Sequence, residues 1–375
     1  MTGQPVSSKP ARLFFADNLR VFLTVLVVLH HLAVIYAANT SFYYIEPSKS
    51  MVSIVILTFF QLFNQAYFMG LFFFLSGYFA PGSYDRKGAG KFALDRVLRL
   101  GIPLAAYYFL LGPVASFGQS QLPAALLAGV TPSAWRMGVG PLWFLVLLLV
   151  FDLGYLLWRK IRQNKPLKPA KAAVFPKFWL IALFIAALAI VSYLVRVIVP
   201  FSKYVLFFPS LAYLPQYVSF FALGTIASRK DWLRTVPAQY GKRGFIAALI
   251  SLILFLVAIS AKFGSPAAYL GNGTWQSAVY ALWDSVFSAG ICLALVAFFR
   301  RFFDHQTNFG RSLAKGSLAV YIIHCPVITL LAAFVLRNLH LMPLLKFGLA
   351  AVISVPVCFG IAWLIRKIPG VKRVI

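Results

Sequence analysis

Long apolar segments follow one another along the whole chain, separated by shorter polar stretches that are rich in Lys and Arg. A helix needs about 20 apolar residues to cross the hydrocarbon core of a bilayer. This length predicts about ten membrane-spanning helices, with approximate ranges 19–38, 54–79, 97–117, 141–158, 178–198, 208–228, 244–262, 276–299, 317–336 and 346–365. The pattern is typical of an all-α polytopic membrane protein.

The basic residues collect in every second connecting segment. Most of them, 28 of 35, lie in six stretches: the N-terminal leader, 81–99, 159–177, 229–243, 300–315 and 366–373. Threading ten helices places all six stretches on one side of the membrane, and positive charge is retained on the cytoplasmic side. Both termini are therefore predicted to be cytoplasmic. The domain organisation that follows is an N-terminal segment at 1–18, a transmembrane domain at 19–365 and a basic tail at 366–375.

Composition agrees with this interpretation. Hydrophobic residues make up 61% of the chain, charged residues 11%, and the mean hydropathy is +0.84, which excludes a water-soluble globular domain. The net charge of +27 would suggest a nucleic-acid partner in a soluble protein. Because the basic residues lie between apolar segments, the bilayer is the predicted partner, and no nucleic acid is expected.

Histidine and cysteine give no metal-binding pattern. The five histidines form no HExxH-like set, and the three cysteines have no paired spacing, so no metal is predicted. We expect Cys292, Cys325 and Cys358 to be small core residues. Cys325 follows His324 directly, but one helical step of 100° separates them, so a Cys-His nucleophile pair is not expected.

The first helix carries an ionisable stripe. Arg20 and His31 are eleven residues apart, and at 100° per residue they return to within about 20° of the same direction. Their axial separation is about 16 Å, with Arg20 near the cytoplasmic edge and His31 in the outer half of the bilayer. Asp17 lies one turn before Arg20, at the entrance to the same stripe.

This stripe is suited to binding an anionic cofactor at one end and moving a proton at the other. Burial favours a neutral imidazole, which can accept a proton from a hydroxyl, so His31 is the predicted general base. Two simpler interpretations remain: Arg20 snorkels to the interface, and His31 makes an interhelical hydrogen bond.

Further candidates lie on other helices. Arg96 and Arg99, three residues apart at the start of the third helix, are predicted to grip phosphates, or else to anchor the helix at the cytoplasmic face. Ser317, Tyr321 and His324 share one face of the ninth helix, as supporting polar groups or as a packed hydrogen-bond ladder. Asp284 is level with His31 and either orients it or pairs with Arg196.

Several of these motifs occur together, in order, in one known family. The sequence resembles the acyltransferase 3 family through Asp17-Asn-Leu-Arg20 followed by His31, Phe73-Phe-Leu-Ser-Gly-Tyr78, Arg96-Val-Leu-Arg-Leu-Gly-Ile-Pro103, Leu142-Trp-Phe-Leu145 and Ser317-Leu-Ala-Val-Tyr-Ile-Ile-His324. The similarity spans residues 12–365. It implies a multi-pass enzyme of the bacterial cytoplasmic membrane that moves acetyl or succinyl groups from cytoplasmic acyl-CoA to hydroxyls of extracytoplasmic glycans.

The resemblance also implies catalytic roles for His31 and Arg20, and cofactor binding by Arg96 and Arg99. Two features depart from the family pattern: Val21 replaces a common glycine, and the chain lacks the C-terminal hydrolase-like domain that some relatives carry. The second leaves open whether a separate acyltransferase partner acylates the acceptor. A transporter or flippase of a lipid-linked sugar or small anion is the alternative function, because intramembrane Arg, His and Asp also mark substrate pathways.

Overall fold

The computed structural model describes residues 12–40, 42–121, 138–162, 175–203, 205, 208, 211–261 and 264–374. Within these ranges the protein is helical, and β pairing is limited to an isolated bridge between Val205 and Phe208. The all-α prediction is confirmed. Residues 1–11, most of the predicted loop 118–140 and most of the basic segment 159–177 lie outside the described residues.

The described residues form twelve α-helices: α1 (Phe14–Ala37), α2 (Met51–Arg96), α3 (Ile102–Ala106), α4 (Gly112–Ser116), α5 (Trp143–Ile161), α6 (Phe178–Ile198), α7 (Leu214–Arg229), α8 (Trp232–Thr235), α9 (Ala238–Ser260), α10 (Trp275–Phe302), α11 (Asn308–Leu330) and α12 (Pro343–Ile365). Wider π-helical turns follow α2, α3 and α11, at Val97–Gly101, Tyr107–Leu111 and Leu331–Leu336. Single 3₁₀ turns occur at Phe117–Gln121, Gly140–Leu142, Leu211–Tyr213, Pro266–Leu270 and Val371–Arg373.

Eight helical stretches of the described chain are long and apolar enough to cross a membrane, so the multi-pass prediction is confirmed. The predicted number was about ten, and one cause of the difference is a helical run of 71 residues, Met51–Gln121. At 1.5 Å per residue this run is several times longer than a bilayer core of about 30 Å. It is interrupted at Gly88 (φ 71°, ψ 169°), between the two predicted segments 54–79 and 97–117.

The other cause is α7, which corresponds to the predicted segment 208–228 but has only 16 helical residues. Its helix begins at Leu214, with Pro215 in the first turn. Proline lacks a backbone N–H and is tolerated in that first turn, where the N–H has no partner within the helix. The residues before it form a short 3₁₀ turn, so α7 is shorter than its apolar sequence.

Helix α1 lies in the interior and contacts α2, α10, α11 and α12. Most of its side chains are buried, as expected for a predominantly apolar helix in the interior of a bundle. Helices α6 and α9, by contrast, expose apolar side chains such as Leu183, Ile190 and Leu254. These surfaces are suited to contact with lipid. The ionisable residues of α1 therefore face protein rather than hydrocarbon.

Helices α2 and α7 cross at very close range. A Cβ atom added to Gly77 would lie 2.2 Å from the carbonyl oxygen of Phe221, and one added to Gly224 would lie 2.2 Å from that of Phe74. Small residues allow such backbone contact between membrane helices. Next to this crossing, the Tyr78 hydroxyl donates to Asp231, just after the end of α7, at 3.0 Å.

Candidate active site

Two histidines from distant parts of the chain meet inside the bundle. His31 of α1 and His324 of α11 have ring centroids 4.9 Å apart, and His324 Nε2 lies 3.3 Å from His31 Nδ1. His324 is fully buried, whereas His31 is partly buried. The contact between α1 and α11 brings together two residues that are 293 positions apart.

The neighbouring carbonyl groups determine which ring nitrogens carry hydrogen. His31 Nδ1 lies 2.9 Å from the carbonyl oxygen of Val27, and His324 Nδ1 lies 2.7 Å from that of Tyr321. A carbonyl oxygen only accepts hydrogen bonds, so each Nδ1 carries a hydrogen. His324 Nε2 then accepts from His31 Nδ1–H. No hydrogen-bond partner for His31 Nε2 is found among the described residues, which leaves its lone pair to take a proton.

Aromatic residues enclose this pair. Phe42 packs on His31 with ring centroids 5.3 Å apart, and the hydroxyl of Tyr107 donates to that of Tyr43 at 3.0 Å. Phe42 and Tyr43 lie between the predicted helices 19–38 and 54–79, yet both are buried. Sequence reasoning missed these residues. The run of aromatic residues from Phe42 to Tyr44 was the available signal, because a solvated loop rarely holds three in succession.

Gly140 packs against Tyr43 and Tyr107. Its backbone has φ 45°, and an added Cβ atom would lie 2.4 Å from the Tyr43 hydroxyl oxygen and 3.0 Å from that of Tyr107. Only glycine combines this conformation with such close approach. The adjacent Pro141 carbonyl accepts a hydrogen bond from the Tyr321 hydroxyl, so the start of α5 is attached to the histidine-bearing helix α11.

The three residues predicted to share one face of α11 have different partners. Ser317 donates to the carbonyl oxygen of Leu313 in its own helix, which is the hydrogen-bond interpretation rather than contact with the histidines. Tyr321 bonds to Pro141, and only His324 of the three predicted residues contacts His31.

Cys325 does not project away from His324, as one helical step had suggested. Its Sγ lies 3.4 Å from His324 Nε2, because the imidazole turns this nitrogen toward the following residue. All three cysteines are nevertheless buried and unpaired, as predicted. Within the described ranges no group of three His, Cys, Asp or Glu side chains is arranged to hold a metal ion.

Arg20 lies at the other end of the α1 stripe. Its Nη1 bonds to Asp17 Oδ1 at 3.0 Å, and its guanidinium lies 4.6 Å from the ring centre of Phe79 on α2. Asp17 also accepts from Arg12 at 2.7 Å. About a third of the Arg20 side chain is exposed (35%), so the charge remains accessible. The stripe is thus covered by α2 at the Arg20 end and by α11 at the His31 end.

Arg96 and Arg99 have different carboxylate partners. Arg96 Nε lies 3.1 Å from Asp152 Oδ2 on α5, and its side chain is 19% exposed. Arg99 Nε lies 3.1 Å from Asp95, and its side chain is 51% exposed. The π-helical turn Val97–Gly101 begins directly after Arg96, so the regular α-helical spacing does not hold between them. Phosphate binding at this position stays a prediction.

Asp284 pairs with Arg196 rather than with His31. The two groups are 2.7 Å apart and fully buried, and the rings of Phe201, Tyr213 and Tyr280 surround the guanidinium at 4.7–5.2 Å. The structure thus selects one of the two alternatives for Asp284. Its place is an ion pair between α6 and α10 that holds these helices together.

A cavity of about 500 Å³ lies elsewhere, between α2, α6, α7 and α10. Its lining is apolar apart from Lys177 and Lys230 and includes neither Arg20 nor His31. We therefore place the candidate site at the histidine pair, where the proton-transfer groups are, and not in this cavity.

Comparison with known proteins identifies the family of the chain. The profile of a family described as an acyltransferase domain matches residues 13–363, which include both histidine-bearing helices. "Glucans biosynthesis protein C" of Escherichia coli (strain K12 / DH10B) is 23% identical over 343 residues, covering 86% of this chain and 84% of that protein. The protein of the same name from Salmonella heidelberg (strain SL476) is 25% identical over 360 residues, covering 88% and 86%. No solved structure matches the chain.

Proposed function

The chain belongs to the acyltransferase 3 family, and we propose that this membrane acyltransferase moves an acetyl or succinyl group from cytoplasmic acyl-CoA to a hydroxyl of an extracytoplasmic glycan. The similar proteins from Escherichia coli and Salmonella are named for glucan biosynthesis, which supports a glycan acceptor in the bacterial envelope. The multi-pass helices support a location in the bacterial cytoplasmic membrane, where the enzyme has access to both compartments.

The observation that carries the proposal is the His31–His324 pair. Among the described residues His31 Nε2 has no hydrogen-bond partner, while the Nδ1–H of the same ring is held by Val27 and His324. His31 Nε2 takes the proton of the acceptor hydroxyl as the oxygen bonds to the thioester carbonyl carbon. The carbon–sulfur bond then breaks, and the proton passes from His31 to the departing thiolate of CoA. Atoms and charges balance, because an ester and free CoA are the products.

His324 is proposed to position and stabilise His31. When His31 carries a proton on both nitrogens, its Nδ1–H still donates to Val27 and to His324 Nε2. Both partners are acceptors, so they stabilise the positive charge that develops during the reaction. The arrangement serves the purpose that a carboxylate serves beside many catalytic histidines.

Arg20 is proposed to bind the negatively charged part of the donor at the predicted cytoplasmic end, together with Arg96 and Arg99. Its bond to Asp17 leaves part of the guanidinium exposed, and a planar guanidinium is suited to phosphate. The distance along α1, about 16 Å, separates phosphate binding from proton transfer. An acyl-CoA molecule has its phosphates and its thioester at opposite ends of a long arm, which fits this separation.

Transfer across a sealed membrane tests the proposal. We expect proteoliposomes that contain the purified protein, with labelled acetyl-CoA or succinyl-CoA on the cytoplasmic side and a bacterial glucan outside, to form a labelled ester and one free thiol per ester. Empty liposomes and donor without acceptor are the controls. Movement of the glucan without thiol release would identify a flippase and contradict the proposal.

A further inference from the structure

Two arginines meet at one tyrosine hydroxyl near the ends of α5 and α7. Arg159 Nη1 donates to Tyr155 Oη at 3.1 Å, and Arg229 Nη2 donates to the same oxygen at 2.7 Å. Tyr155 and Arg159 are both more than nine-tenths buried. Two guanidinium groups therefore lie side by side in a mostly enclosed place, where like charges repel each other.

The carboxylates of the chain leave this positive charge only partly balanced. One of them, Asp85, lies 2.8 Å from Arg159, and about half of its side chain is exposed. All eight Asp and Glu residues of the chain lie in the described ranges, and the other seven bond elsewhere. No Asp or Glu side chain is within ion-pairing distance of Arg229.

Apart from the Asp85 carboxylate, the groups at this place are hydrogen-bond donors. Because the oxygen of Tyr155 accepts from both arginines, the hydroxyl hydrogen of Tyr155 remains to donate. The guanidinium groups carry further N–H donors, and neither contains an acceptor. A group with several anionic oxygens, such as a phosphate, matches two guanidinium groups and a hydroxyl.

This site is continuous with a residue already proposed to bind the donor. Arg159 lies 4.6 Å from the ring centre of Tyr84, which packs on Phe92, and Phe92 in turn lies 4.9 Å from Arg96. The two aromatic rings therefore link Arg96 to Arg159 through direct contacts. Both arginines belong to one positively charged region at the predicted cytoplasmic face.

Helix α5 connects this region with the histidine pair. Phe144, in its first turn, contacts Tyr321 at 5.8 Å between ring centroids, one turn from His324. Tyr155 follows eleven residues later, a rise of about 16 Å. We infer that Tyr155, Arg159 and Arg229 bind a phosphate group of acyl-CoA, whose arm runs along α5 toward the histidines. The inference rests on the proposed function and adds three residues to the donor site.

Equilibrium binding of labelled CoA to the purified full-length protein tests this inference. We expect Arg229→Gln to weaken CoA binding about tenfold, since one charge-assisted contact to phosphate is lost. Tyr155→Phe, which keeps both guanidinium groups, should weaken binding by a smaller factor. Lys160→Gln is the matched control. It removes one positive charge from an exposed position on α5, the helix that carries Tyr155 and Arg159, and should leave binding within twofold. Size-exclusion profiles verify that each variant is folded.

Competition and vesicle-binding experiments distinguish a site for the phosphate of CoA from a site for a lipid headgroup. Pyrophosphate should displace CoA from the wild type, and should do so only at higher concentration in Arg229→Gln. Wild-type affinity for CoA in Arg229→Gln and Tyr155→Phe would overturn the inference while leaving the proposed function in place. If the wild type bound vesicles of phosphatidylglycerol through Arg229 but bound no CoA, the site would be a lipid-headgroup site, and the assignment of the donor would fail as well.

Discussion

Alanine at position 31 is expected to lower the turnover number for acyl transfer by about 10²–10⁴-fold, the usual contribution of a positioned general base. The physical reason is the free Nε2 of His31, which lies on the reacting side of a ring held by Val27 and His324. The KM for acyl-CoA should change little, because the phosphates bind about 16 Å away along the helix. Steady-state kinetics in proteoliposomes measure both parameters.

His340→Ala provides the control for loss of a histidine, since His340 is exposed and lies outside the candidate site. It should retain wild-type kinetics. A His31→Ala enzyme with normal turnover would show that another group removes the acceptor proton.

The second large effect concerns stability. Asp284→Ala is expected to destabilise the protein by about 3–5 kcal/mol, because it leaves the charge of Arg196 buried without its carboxylate. The aromatic rings around Arg196 do not compensate for this loss, because they contact the guanidinium in the wild type as well. The measurement is the yield of folded protein after heating in detergent, determined by size exclusion. This yield should fall at a lower temperature for Asp284→Ala than for the wild type.

A double replacement separates charge from packing at this pair. Arg196→Met combined with Asp284→Leu removes both charges and fills the space with apolar atoms, so it should be much milder than Asp284→Ala alone. Equal heat resistance of Asp284→Ala and the wild type would mean that the pair does not hold α6 and α10 together.

The sequence predicted the helical class well because spanning a bilayer demands long apolar segments. Eight helical stretches of the described chain are counted where about ten spans were predicted, and two features account for the difference. Helix continues through the basic stretch 81–99 and is broken only at Gly88, so two predicted spans appear as one run. α7 is shorter than its apolar segment because its helix starts at Leu214, next to Pro215.

For the candidate site, the sequence supplied the residues but not their partners. His31 and His324 were both candidates, yet their contact depends on how α1 packs against α11, which local spacing does not determine. Asp284 had two equally reasonable partners at the same depth, and the packing of α6 on α10 selects Arg196. Arg159 and Arg229 looked like ordinary residues of basic loops, because only the fold shows that they share one hydroxyl.

The central claim is that His31 and His324 act as one unit in acyl transfer, and a double-mutant cycle measures this directly. Turnover is compared among the wild type, His31→Ala, His324→Ala and the double variant. We expect each single change to lower turnover and the double variant to be no slower than His31→Ala, since His324 acts only through His31. Losses that multiply in the double variant would contradict the account, because they would show that the two histidines work independently.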